Sequence, residues 1–222
     1  MSVVPGPPWE ALIEVMREAH PALETLVLTG SHATGRAGPH SDVDLLVVGP
    51  FASFERLRRR WNGWRVEAMQ APWTWYQETV STYERHGNIG TVTDMVAHGI
   101  LLFGDNAPWR DLQALARMYW ARGPEPPSSQ ELEGIRERLS TLWGNLLDTE
   151  EPGAWRWLHG ITLTVAVDAH FRMRGWWAVK PKYQWETLGR RDARCAQLVQ
   201  RAAADQSPGP MAALLHYIAG IS

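Results

Sequence analysis

The order of apolar and polar residues predicts two neighbouring strands near the N-terminus. Residues 24–29 and 42–48 each contain a short apolar run, Leu26-Val27-Leu28 and Leu45-Leu46-Val47-Val48, and the second carries two aspartates at its start. Such runs between turn-forming residues are typical of buried strands. Gly30-Ser31 interrupts the chain after the first run, and Gly49-Pro50 follows the second. We therefore expect a strand, a short helical turn from Ser31 to about residue 36, a turn-rich segment and a second strand.

The rest of the first half mixes helical and extended patterns. Apolar residues at helical spacing predict an amphipathic helix at 9–19, which Pro21 ends. Phe54, Leu57 and Trp61 fit a second helix, and we interpret the four arginines between them as a solvated face without a function. The remaining predicted elements are a strand at 64–69, a helix at 91–98 and a strand at 100–103.

The second half contains only helical patterns. Residues 111–121 fit a helix, and the segment 123–127, which holds three prolines, cannot continue it and is the clearest linker in the sequence. Ser128 and Glu131 form a capping box ahead of an apolar stripe. Further helices are predicted at 154–173, 183–203 and 210–219. The fold class is therefore α+β: an α/β domain with a short mixed sheet at 1–105, followed by a C-terminal helical bundle at 106–222.

Composition narrows the classes of function. The 222 residues carry a formal net charge of −2 with a pI near 6.4, which disfavours a broad basic surface for long nucleic acid. A single cysteine, Cys195, excludes an intrachain disulfide framework. The N-terminal segment lacks the apolar core of a signal peptide, and no apolar run is long enough to span a bilayer. We expect a cytoplasmic protein without a membrane partner.

Two aspartates and a Gly-Ser turn are the candidate chemistry. Asp42 and Asp44 are two residues apart on a predicted strand, so they project from the same face about 7 Å apart. Two such carboxylates form half of a magnesium site. A strand that turns at Gly30-Ser31 presents backbone N–H groups to an anion, and phosphate is the expected ligand. Together these residues could hold a nucleoside triphosphate as its metal complex.

The spacing of these residues resembles the signature of the polymerase-beta-type nucleotidyltransferase superfamily. Gly30-Ser31, ten intervening residues and Asp42-Val43-Asp44 ahead of an apolar run carry the resemblance, with Gly35 and Ser41 at further matching positions. The resemblance implies a nucleotidyltransferase domain in the N-terminal half and two Mg²⁺ ions. It also implies a third carboxylate from the next strand. Glu67 is the only acidic residue of that segment, so the role falls to it by position.

The resemblance also implies the activity. We expect an enzyme that transfers a nucleoside monophosphate from a triphosphate, with ATP expected, to an acceptor hydroxyl and releases pyrophosphate. The acceptor is a small molecule, such as an aminoglycoside-like compound, or a protein. The alternative is a regulatory antitoxin of the minimal-nucleotidyltransferase type, which binds and modifies a partner protein. Such proteins are usually shorter and lack a fused helical domain.

The two lysines are further candidates for nucleotide binding. Lys180 and Lys182 are the only lysines of the chain and flank Pro181 among aromatic residues. We expect Pro181 to fix an extended turn that displays both amines instead of packing them into a helix. An ammonium group is a compact point charge suited to phosphate. The alternative is an aromatic-lined surface loop. Asp168, on a predicted helix face, is a candidate general base.

Overall fold

The structure, a computed structural model, describes residues 7–221 and confirms the α+β fold class. It contains two compact units, Met1–Gly123 and Pro124–Ser222. The predicted boundary was at residue 105/106. The helix α6, Asn106–Arg122, lies in the first unit because it packs against α5, Thr91–His98. No helix of the described residues is long and apolar enough to cross a membrane.

A five-stranded mixed sheet forms the centre of the first unit. Its order is β3-β4-β2-β1-β5, with β2 and β4 parallel and all other neighbours antiparallel. Strands β1 and β2 lie in the middle and are buried on both faces, which explains their continuous apolar sequences. The strands are β1 Thr25–Thr29, β2 Val43–Val48, β3 Glu55–Trp61, β4 Trp64–Ala71 and β5 Ile100–Gly104.

Each face of the sheet has its own core, because successive side chains of a strand point to opposite sides. One face packs Leu45 and Val47 of β2 with Leu12 and Met16 of α1, Trp9–Ala19. The other face packs Leu46 and Val48 with residues of four further elements. These elements are α3, Trp73–Glu78; a π-helical turn, Thr79–Tyr83; α5; and α6.

The segment 55–61 is a strand, so the predicted helix there is wrong. Asn62 and Gly63 both have positive φ, 46° and 81°, and they form the two-residue turn of an antiparallel β3–β4 hairpin. Asn-Gly is the preferred sequence for such a turn. The apolar residues Leu57 and Trp61 fit a helix by spacing, but they also share one face of a strand. The turn residues favour the second arrangement.

A buried carboxylate fixes the start of α5. Glu84 belongs to the short helix α4, Glu84–Gly87, and is 4% exposed. Its carboxylate accepts hydrogen bonds from the N–H of Val92 at 2.7 Å, the N–H of Thr93 at 2.7 Å and the Thr93 hydroxyl at 2.8 Å. The two N–H groups are backbone donors that the first turn of a helix leaves without an intrahelical partner. Glu84 therefore caps α5 from a distance in the sequence.

The described residues of the second unit form helices, as predicted, but the single helix predicted at 183–203 is wrong. Asp192, with φ −151° and ψ 80°, divides that segment into two helices. The helices of the unit are α7 Ser129–Leu147, α8 Pro152–Met173, α9 Pro181–Arg191, α10 Ala193–Ala204 and α11 Pro208–Ala219. Ser128 caps α7 by accepting from the N–H of Glu131, as the capping box predicts. Leu139, Leu146, Phe171 and further apolar residues of these helices form one core.

Candidate active site

The turn after β1 brings the backbone of Gly30 against Asp44. The short helix α2, Gly30–Ala33, begins directly after β1, and Gly30 has φ +65°. A Cβ atom at Gly30 would lie 2.2 Å from Asp44 Oδ2, so only glycine fits here. Ser31 follows and is buried. Since α2 is a single turn, its helix dipole is small, and its backbone N–H groups and the Ser31 hydroxyl are the groups available to a phosphate.

The three predicted carboxylates lie on one face of the sheet. Asp44 is the second residue of β2 and is directly paired with Glu67 on the parallel strand β4. Paired residues of neighbouring strands project to the same side, and strands are about 4.8 Å apart. Asp42 precedes β2 by one residue, two positions before Asp44. The register of β2 and β4 therefore places Glu67 beside Asp44, which the sequence pattern could not decide.

Two of these carboxylates, Glu67 and Asp42, form ion pairs with arginines. Glu67 is 17% exposed, and its Oε1 accepts from Nε of Arg56 and from Nε of Arg58, the latter at 2.8 Å. These hydrogen bonds, led by that from Arg56, hold the pKa of Glu67 below its usual value. Arg65 Nε lies 2.5 Å from Asp42 Oδ1, an ion pair by distance although its angles do not make a hydrogen bond. A second nitrogen of Arg65 donates to the carbonyl of His40 at 2.6 Å.

The three carboxylates offer oxygen ligands for the magnesium ions that the fold family implies. Oxygen donors from Asp42, Asp44 and Glu67 are the ligands that Mg²⁺ prefers. The described residues contain no group of three acidic, histidine or cysteine side chains gathered around one point, because Glu67 is turned to arginines of β3. The three carboxylates therefore fit the ion in their donor chemistry and in the sheet face that they share, and binding it would require Glu67 to leave its arginine partners.

The other predicted binding residues have local structural roles. The Ser41 hydroxyl accepts from the N–H of Gly38 at 2.9 Å and so closes the turn ahead of Asp42. Lys180 precedes α9, Pro181 is its first residue and Lys182 lies in its first turn. The predicted extended turn after Pro181 is therefore wrong, because proline is well tolerated at the first helical position. Both lysines are exposed, and Lys182 Nζ lies 4.9 Å from the ring centre of Tyr183.

Two acidic residues outside the sheet have partners within their own units. Asp94 pairs with His98 at 2.9 Å on the surface of α5, as expected for residues four apart. Asp168 accepts from the amide nitrogen of Gln184 at 2.7 Å, and its role as a base stays a prediction. A concave surface lined by Glu14, Arg17 and Phe103 lies along α1, on the sheet face opposite to the carboxylates.

The arginines that contact the carboxylates were not among the residues predicted for the site. The predicted helix placed Arg56 and Arg58 on a solvated face, and no pattern in the sequence marked Arg65. The Asn-Gly turn and the alternation of arginine at 56, 58 and 60 were the available signals. Read as a hairpin, they would have placed Arg58 close to Glu67 on the neighbouring strand.

Comparison with known proteins supports the assignment of this region. Residues 10–83 match the family model of the nucleotidyltransferase domain, and this range includes most of α1, the Gly30 turn and all three carboxylates. This match confirms the resemblance drawn from the motif, and the family's activity is transfer of a nucleoside monophosphate. No curated protein matches the chain.

Two solved structures are similar at low identity. A nucleotidyltransferase-like protein from Exiguobacterium sibiricum 255-15 is 17% identical over 95% of this chain and 75% of its own, with a TM-score of 0.46. A toxin-antitoxin crystal structure with AMP-PNP is 16% identical over 52% of this chain and 89% of its own, with a TM-score of 0.33. At these values neither likeness carries an argument about function.

Proposed function

We propose that the chain transfers a nucleoside monophosphate from a nucleoside triphosphate to an acceptor hydroxyl, because residues 10–83 match the family model of the nucleotidyltransferase domain. One observation carries the proposal. The Gly30 backbone lies directly against Asp44, so a phosphate at the turn and a cation at the carboxylates would be in contact. That adjacency is what binding of a metal–triphosphate complex requires.

Different residues of the first unit would bind the phosphates and the metal ions. The N–H groups of the Gly30 turn and the hydroxyls of Ser31 and Ser41 would orient the triphosphate. Asp42, Asp44 and Glu67 would hold two Mg²⁺ ions, with Glu67 exchanging its arginine partners for the ion. When bound, the ions supply positive charge to the attacking oxygen and to the leaving pyrophosphate.

The reaction forms one bond and breaks one bond at the α-phosphorus. The acceptor oxygen bonds to this phosphorus, the bond to the β-phosphate oxygen breaks, and pyrophosphate leaves with the electron pair. The hydroxyl proton passes to a base, for which Asp168 is the candidate. Lys180 and Lys182 stay candidates for phosphate binding. ATP is the proposed donor, the acceptor is a small molecule or a protein, and the proposed location is the cytoplasm.

A pyrophosphate-release assay tests the proposal. The full chain would be incubated with Mg²⁺, each of the four triphosphates and pools of hydroxyl-bearing acceptors. We expect release with at least one combination and a loss of at least about 100-fold in Asp44→Asn, since that carboxylate would be a metal ligand. Asp94→Asn removes an exposed carboxylate of the same unit and should retain full activity. Equal turnover in Asp44→Asn and the wild type would overturn the metal-dependent mechanism.

A further inference from the structure

We propose that an arginine row beside the carboxylates binds phosphate groups of the acceptor, so that the acceptor is a phosphorylated compound. The arginine row is Arg56, Arg58 and Arg60 of β3 with Arg65 of β4. This inference rests on the proposed function, because it names the substrate class of the same site.

The register of the hairpin places the arginine row on the face of the carboxylates. Arg56, Arg58 and Arg60 alternate along β3 and so share one face. Arg58 is directly paired with Glu67, and Arg60 with Arg65. Directly paired residues project to the same side of an antiparallel sheet. The arginine row therefore extends the carboxylate site towards the edge of the sheet at β3.

The arginine row and the Gly30 turn lie on opposite flanks of the carboxylates. The strand order β3-β4-β2-β1 puts β1, which leads into the Gly30 turn, on one side of β2 and puts β4 and then β3 on the other. Two strand spacings separate β2 from β3, which is about 10 Å. A triphosphate at the Gly30 turn would leave the β3 flank open for the acceptor.

The charges of this flank favour an anion. Arg60 lies directly opposite Arg65, and like charges in that position repel. Within residues 7–221, Arg60 forms no hydrogen bond or ion pair. Arg56, Arg58 and Arg65 have side-chain exposures of 49%, 73% and 55%, so an incoming group can reach them. Guanidinium groups bind phosphate in a two-pronged geometry and remain charged at every relevant pH.

A structural explanation of the arginine row makes a different prediction. Charged side chains on an edge strand prevent pairing with the edge of another molecule, and such a role does not depend on the face. Arg59 lies between Arg58 and Arg60 on the other face of the same strand, where its charge acts on His20. Arg59→Gln is therefore a matched control. It removes the same charge from the same strand without touching the carboxylate face.

The test measures binding by fluorescence anisotropy. The full chain, saturated with Mg²⁺ and a non-hydrolysable ATP analogue, would be titrated into a labelled eight-nucleotide RNA, with AMP as an unlabelled competitor. We expect wild-type binding that Arg60→Gln weakens about tenfold, the loss of one charge-assisted hydrogen bond. Arg58→Gln/Arg60→Gln should weaken it further, and Arg59→Gln should leave it within twofold. The slope of log affinity against log salt should fall by roughly 0.7 per phosphate contact removed.

The two sources of phosphate give different results in this assay. Competition by AMP at a similar affinity indicates a free phosphorylated compound, whereas RNA binding without competition indicates the end of a polynucleotide. AMP binding to the wild type would also be measured directly by calorimetry. Absence of wild-type binding to both the RNA and AMP, or equal losses in Arg59→Gln and Arg60→Gln, would overturn the proposal. Binding of the ATP analogue to Arg60→Gln, measured separately by calorimetry, should match the wild type. A wild-type chain that fails to bind the analogue would contradict the proposed function. A wild-type chain that binds the analogue but neither RNA nor AMP would contradict only the proposal for the arginine row.

Discussion

At the scale of single residues, Gly30 connects the backbone turn to the carboxylates. An alanine there would combine a positive φ with a Cβ atom 2.2 Å from Asp44 Oδ2. We expect Gly30→Ala to displace Asp44 and to abolish binding of Mg-ATP. Gly35→Ala is the matched control: φ is +70° in the same loop, and nothing lies within 4 Å of the added atom. It should cost about 1–2 kcal/mol of unfolding free energy and retain binding. Calorimetry of both variants gives the comparison, and undiminished binding to Gly30→Ala would contradict the placement.

At the scale of elements, one buried carboxylate holds α5 in place. Glu84→Ala would leave the N–H groups of Val92 and Thr93 and the Thr93 hydroxyl buried without their acceptor. We expect a loss of about 3 kcal/mol in the free energy of unfolding, measured by urea denaturation. Glu84→Gln keeps one acceptor oxygen, so its loss should be smaller. Glu78→Ala, an exposed glutamate of the neighbouring α3, should change stability by less than about 0.5 kcal/mol. A Glu84→Ala protein as stable as this control would show that the cap contributes nothing.

At the scale of the whole molecule, buried histidines make stability depend on pH. Burial lowers the pKa of His20 and His32 in the first unit and of His159 and His170 in the second. A histidine with a lowered folded pKa binds fewer protons when folded than when unfolded, so stability falls as the pH drops below about 6.5. His98 opposes this trend, because its hydrogen bond to Asp94 raises its pKa. Four histidines with a lowered pKa destabilise the folded protein at low pH, and one with a raised pKa stabilises it. We therefore expect the urea concentration at the unfolding midpoint to fall between pH 7 and pH 5.

A single substitution checks the cause of this pH dependence. His159 is 2% exposed and stacks on Trp155 with ring centres 5.0 Å apart. His159→Phe keeps an aromatic ring and removes the titrating group, so the difference between the midpoints at pH 7 and pH 5 should shrink. An identical pH dependence in His159→Phe would exclude His159 as a contributor. His86→Phe, at an exposed histidine, provides the comparison.

The sequence by itself determined the central strands, the helical second half and the Gly30, Asp42 and Asp44 motif. These features depend on local order: burial on both faces makes a strand continuously apolar, and a two-residue interval puts two carboxylates on one side. The local sequence also predicted the sharp turn at Gly30. It did not predict the close approach of Gly30 to Asp44, because that distance depends on how β1 and β2 pair.

Only the tertiary structure decided what surrounds the aspartates. Glu67 lies beside Asp44 because β2 and β4 pair in parallel with one particular register, and a shift of one residue would have put it on the other face. The same register, continued across the hairpin, brings Arg56 and Arg58 to Glu67. The helical spacing of Leu57 and Trp61 was equally consistent with a strand face, so sequence periodicity could not separate the two. The Asn62-Gly63 turn and the β3–β4 pairing across it decided for the strand. Pairing between β2 and β4, which are distant in the chain, decided the face on which Glu67 lies.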